Sequence, residues 1–113
     1  MPAWRPDWAD VSFDFGAAAD AVRALLGAAA TIDATTDARV RLAAEAQQDW
    51  VGRARDTFDE ELRRHVRAAA DLASACRSAA AAIEAAAHDA RVEQRRRELD
   101  REDWRAQVRA GVS

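Results

Sequence analysis

The chain has no lysine and no tyrosine, a single cysteine, two prolines and four glycines among its 113 residues. Each shortage excludes something. One cysteine, Cys76, allows neither an internal disulfide framework nor a cysteine-based zinc site, and it leaves the redox compartment undecided. Both prolines, Pro2 and Pro6, fall in the first eleven residues, which cannot start a helix until the second has been passed. Every basic residue is arginine, a bias that reflects composition and carries no functional weight. The formal charge of −3 argues against a nucleic-acid binder driven by phosphate neutralisation. The N-terminus, MPAWRPDWADVSFDF, places charges and prolines where a cleaved signal peptide would have an apolar stretch. The weakly polar run Ser78 to Ile83 is far shorter than a bilayer, so no membrane span is expected. Large apolar side chains are also scarce. Half the residues are nominally apolar, but most of these are alanine, which contributes little buried area, so a lone core would be thin and a partner would strengthen it.

What the chain does have is helical spacing. Residues 1–11 read as an irregular arm, and Ser12 or Asp14 is a suitable N-cap, because its oxygen can accept from the free amides of a first turn. From there Phe15, Ala18, Val22, Leu25, Ala29 and Ile32, continued by Val40, Ala43 and Trp50, follow steps of three and four and predict a helix over 14–48. Residues 31–37 compete with the helical backbone for hydrogen bonds, so a kink is conceivable there, but the helix is read through them. After a turn at 49–52, a second stripe of Phe58, Leu62, His65, Ala69, Leu72, Cys76, Ala79, Ile83, Ala86 and Ala90 predicts a helix over 53–90. At 1.5 Å per residue each rod is roughly 50 to 57 Å long. Two rods of matched length joined by a short link fold back on one another, and alanine permits close approach. The expected fold class is therefore all-α, an antiparallel two-helix hairpin. Gly52 would take the positive φ that ends the first helix, and Trp50 would cover the turn. Residues 91–113 are dense in charges of both signs and read as a solvated helical extension, with a disordered tail as the alternative.

Few single residues point to chemistry. His65 lies in the second stripe, where its ring nitrogens need partners; a pH-sensitive contact competes there with a plain hydrogen-bonded histidine. His88 lies off the stripe, about 35 Å away, too far for the two to share a metal. Cys76 reads as a small buried hydrophobe rather than a nucleophile. The acidic runs at 59–61 and 100–103 read as solvated faces paired with nearby arginines. No phosphate loop, nucleophile elbow or metal spacing occurs, so neither enzyme activity nor a cofactor or metal is expected. Leu26, Leu42 and Val66 widen the apolar face beyond what one neighbouring helix covers. Together with Phe15, Val22, Phe58, Leu62, Leu72 and Ile83 they form the expected partner interface. Trp4, Trp8 and Trp104 would gather at one pole, either as anchors for a second chain or folded back onto the end of the bundle.

Trp50-Val51-Gly52, followed by Ala54 and Phe58 and set between two long amphipathic helices, resembles the turn of the WXG family of small type VII secretion proteins, the early secreted antigen class. The resemblance covers roughly residues 12–90. It implies that the hairpin pairs with a second WXG-like hairpin, of the same or a related chain, into a four-helix bundle. It also implies synthesis in the cytoplasm, export in the folded state by a membrane ATPase machine without a cleaved signal, and company with a larger effector. The family usually carries Tyr-x-x-x-Asp/Glu after the second helix. Here there is no tyrosine, and Trp104 is followed by Val108 where the acid would stand. The chain would then be the signal-less member of a heterodimer or an adaptor for an effector. The alternatives are a structural coiled-coil module or regulator whose arginine-rich tail grips an acidic partner, and an immunity or chaperone-like protein bound to one toxin.

Overall fold

The computed structural model describes residues 2–111. Two helices, α1 (Phe15–Ala46, 32 residues) and α2 (Arg53–Arg109, 57 residues), run antiparallel as a hairpin, and no strand occurs among the described residues. The molecule measures 88 × 19 × 15 Å. Its long dimension is that of α2 alone, since 57 residues at 1.5 Å per residue give about 85 Å. The rods are thus unequal. The sequence stripe stops at Ala90 because apolar residues run out there, while helical hydrogen bonding carries on through the charged segment to Arg109. Pairs three and four residues apart support that continuation: Arg96 bridges Glu93 (2.6 Å) and Asp100 (2.9 Å), and Arg97 reaches Glu93 at 3.0 Å.

Asp14 caps α1, its carboxylate accepting from the Ala17 amide at 2.9 Å. The stretch 31–37 stays helical; Thr36 turns its hydroxyl back onto the Ile32 carbonyl (2.8 Å) instead of breaking the ladder. α1 ends at Ala46, two residues short of expectation, with Gln47 at its C-cap in ordinary right-handed geometry. Gly52 does have positive φ (95°), but its ψ of −161° makes it the entry to α2 and not the exit from α1. That combination is open essentially to glycine alone.

The helices meet along a seam whose buried residues are nearly all alanine: Ala29 and Ala43 on α1, Ala73, Ala80, Ala87 and Ala90 on α2. On α1 the seam follows the predicted stripe from Phe15 to Ile32 and again at Ala43, but Val40 is exposed while Thr36 is half-buried, and at the end buried Gln47 takes the place expected of Trp50. On α2 the stripe is turned by one residue at alternate positions. Leu62, Ala69, Cys76, Ile83 and Ala90 face α1 as predicted, but their companions are Val66, Ala73, Ala80 and Ala87, while Phe58, His65, Leu72, Ala79 and Ala86 are exposed. Either set satisfies steps of three and four. Close helix packing selects the smaller side chains, because only alanine lets the two backbones approach.

Candidate functional site

Beyond Ala90 the seam of α2 keeps its phase and changes its chemistry. Gln94, Arg97, Arg101 and Trp104 continue the alternation of four and three, and all four are half-buried. What covers them is the N-terminal arm, an extended chain that prolongs α1 backwards along α2. Its irregularity matches the sequence reading, and its docking matches the alternative in which the tryptophans fold back on the bundle; the polar track beneath it was not anticipated. An extended segment has unpaired backbone groups, and the α2 side chains supply partners for them. Gln94 Oε1 accepts from the Val11 amide at 2.8 Å. Arg97 Nη1 donates to the Ala9 carbonyl at 3.1 Å. Arg101 donates to the carbonyls of Asp7 (2.9 Å) and Ala9 (2.7 Å) and to the Asp10 carboxylate (3.0 Å). Within the arm, Pro6 is buried.

Electrostatics follow this geometry. The Asp10 carboxyl is held below its ordinary value of 3.8, first by the Gln94 amide hydrogen bond and then by Arg101. Glu93, hydrogen-bonded by Arg96 and by Arg97, is lowered to about 2. The tail arginines Arg96, Arg97 and Arg101 are therefore largely engaged within the chain.

The three anchor tryptophans were expected at one pole, and the structure places them along the overhanging end of α2. Trp8 and Trp104 meet edge to face, with centroids 5.4 Å apart and planes at 88°, and Arg105 lies over the Trp8 ring at 5.1 Å. Trp4 lies further along, its indole N–H donating to Gln107 at 3.3 Å. The Trp104 indole N–H is shielded from solvent and has no acceptor among the described residues.

The expected partner interface separates into two groups. Phe15, Val22, Leu62, Val66 and Ile83 are half-buried in the chain's own hairpin, so they serve the seam first. Phe15 packs on Phe13 (4.8 Å) and beneath Arg91 (4.9 Å), and a groove of about 290 Å³ opens between Phe15, Val22, Ile83 and Ala87. Leu26, Leu42, Phe58 and Leu72 are exposed, Leu42 by 64% and Leu72 by 56%. Helical phase gives the hairpin two unlike flanks. One carries arginines: Arg77 pairs with Asp33 across the seam, and Arg63 and Arg67 line a groove with Val40. The other carries Ala21, Ala28, Thr35 and Leu42 on α1 and Phe58, His65, Leu72, Ala79 and Ala86 on α2, uncharged positions beside which Arg39 shares a groove with His65. His65, expected in the seam, is exposed on this flank because of the one-residue turn in phase.

At the hairpin end, Trp50 packs edge to face on Phe58, with centroids 5.8 Å apart. Arg55 donates to the Trp50 carbonyl at 2.8 Å, and buried Gln47 donates to Asp59 at 2.9 Å. Trp50 remains about half exposed. Cys76 is half-buried in the seam, and among the described residues no three His, Cys, Asp or Glu side chains cluster as metal ligands.

By length and composition alone α1 is apolar enough to cross a bilayer. A search for uncharged runs misses it because Asp20 and Arg23, which pair with each other, interrupt the alanines. No family model, curated protein or solved structure matches the chain.

Proposed function

We propose that this chain is a partner protein, one half of a four-helix bundle, which pairs through the uncharged flank with a second WXG-like hairpin of the same or a related chain. The observation that carries the reading is an inversion of size. The seam within the hairpin uses alanine and buries no large side chain completely, while Leu42, Phe58 and Leu72 stay in water on this flank. Each of these contributes roughly 1.5 to 3 kcal/mol when fully buried, and a second hairpin is the form of neighbour that a pair of parallel ridges fits. Trp50 and Gly52 then stand as the Trp-x-Gly turn of the WXG-like class, presented at the pole of the bundle. In the type VII setting the chain serves as the signal-less member of a heterodimer or as an adaptor for a larger effector, exported with it through the secretion ATPase.

Two observations weigh against the other readings. A regulator that grips acidic partners through its tail needs free arginines, and Arg96, Arg97 and Arg101 are already bonded to carboxylates and carbonyls of this chain. Membrane insertion of α1 would carry α2 with it or break the whole seam, and α2 is charged along its length.

Light scattering tests the proposal. A homodimer, or a monomer that becomes a stable complex when co-expressed with a neighbouring short helical protein, is expected, and Leu42→Ser with Leu72→Ser should abolish that association. A cooperatively melting monomer that takes up no such neighbour would refute it.

A further inference from the structure

The overhang of α2 is built differently from a helix-packing surface, and the difference identifies what it binds. Its side chains address the main chain of an extended segment: Arg97 and Arg101 donate to carbonyls, and Gln94 accepts from an amide. Four side chains of the arm are also met by side chains of α2: Asp7 pairs with Arg97 at 3.4 Å and the Trp4 indole donates to Gln107, while Asp10 meets Arg101 and Gln94, and the Trp8 indole meets Trp104 edge to face. The arm is also an imperfect occupant. With the arm in place the Trp104 indole N–H is out of water and without an acceptor among the described residues, a state in which a buried donor is costly and which an incoming acceptor would relieve. The groups that hold the arm are exposed on its own side, Asp10 by 74%, so an exchange does not require the hairpin to open.

We propose that the α2 track of Gln94, Arg97, Arg101 and Trp104 is a docking site for an extended acidic peptide segment of a partner chain, one carrying an indole two residues before a carboxylate, and that the N-terminal arm is its built-in competitor. The arm holds the site through its tether, because a covalently attached ligand acts at an effective concentration in the millimolar range. A partner segment prevails where it supplies an acceptor to Trp104 or is itself delivered at high local concentration. This site is separate from the uncharged flank and stands or falls independently of bundle pairing.

The test uses the full chain and a fluorescein-labelled synthetic peptide of residues 2–14 followed by fluorescence anisotropy. Trp8→Ala with Asp10→Ala weakens the competitor without touching the track, so this chain should bind the peptide at least tenfold more tightly than the wild type. Adding Arg97→Gln and Arg101→Gln should abolish the binding. A peptide with alanine at its Trp8 and Asp10 positions should fail on the arm-weakened chain, a control that leaves the protein untouched. Equal binding to wild-type and arm-weakened chains, no saturation of the arm-weakened chain, or binding that survives loss of both arginines would overturn the proposal. The Leu42→Ser, Leu72→Ser chain should still bind the peptide, which separates the track from any failure of self-association.

Discussion

α2 serves two neighbours with one continuous phase. Up to Ala90 it faces a helix, and its seam is alanine; from Gln94 it faces an extended chain, and its seam becomes glutamine, arginine and tryptophan. A helix has already satisfied its own backbone, so what it asks of a neighbour is a close fit of small surfaces. An extended arm has not, so it asks for donors and acceptors. The same helical geometry thus supports two kinds of adhesion, one by shape and one by hydrogen bonding, and the switch between them occurs within a single turn.

Changes that attack shape should affect only the first region, and they should have the largest effects. Ala73→Leu combined with Ala80→Leu forces the helices apart; each over-packed site costs about 1 to 3 kcal/mol, and the melting temperature should fall by several degrees or more while the Trp8–Trp104 contact persists. Near-UV circular dichroism beside a thermal melt would check both halves of this expectation. The converse change, Arg97→Gln with Arg101→Gln, should release the arm. Losing several charge-assisted bonds on a partly exposed surface should cost about 1 to 2 kcal/mol, removing the near-UV tryptophan signal and leaving the hairpin folded.

Acid should separate the two regions without mutation. Asp10 and Glu93 have folded values below their ordinary ones, so their contribution is fully present above the unfolded value and is lost as pH falls through the folded one. As pH falls below the ordinary Asp10 value of 3.8, tryptophan fluorescence should report arm release, while far-UV ellipticity, governed by the uncharged alanine seam, should change less. The smallest effect is expected from Arg77→Ala. It breaks the ion pair with Asp33 across the seam, but both side chains are about half exposed, so the cost should be below about 1 kcal/mol in chemical denaturation.

Much of the hairpin was legible in the sequence because α1 follows its apolar spacing from Phe15 to Ile32 and because the link at 47–52 interrupts two long periodic stretches. The phase of α2 was harder to read. Between Ala68 and Ala90 alanine occupies most faces, so position alone does not choose between Leu72 and Ala73. Side-chain size then points to leucine, whereas close packing takes alanine. The docked arm was not legible at all from periodicity, since extended chain has no helical spacing of its own. The signal lay in its partner. Gln94, Arg97, Arg101 and Trp104 keep the rhythm of the seam after apolar residues have gone, and long polar side chains at seam positions imply a neighbour with backbone groups to satisfy. The tryptophan cluster was foreseen in membership but placed at a pole, because the rods were taken as equal.

The 88 Å length also affects how the protein travels through solution. Its radius of gyration, 26.4 Å, is twice the roughly 13 Å of a compact sphere of 113 residues, so a single copy tumbles and sieves like a much heavier globule. Two such rods laid side by side would thicken the particle while hardly lengthening it. Pairing would therefore double the mass with only a modest change in drag, and an elution volume would register little of the event that matters most to this molecule.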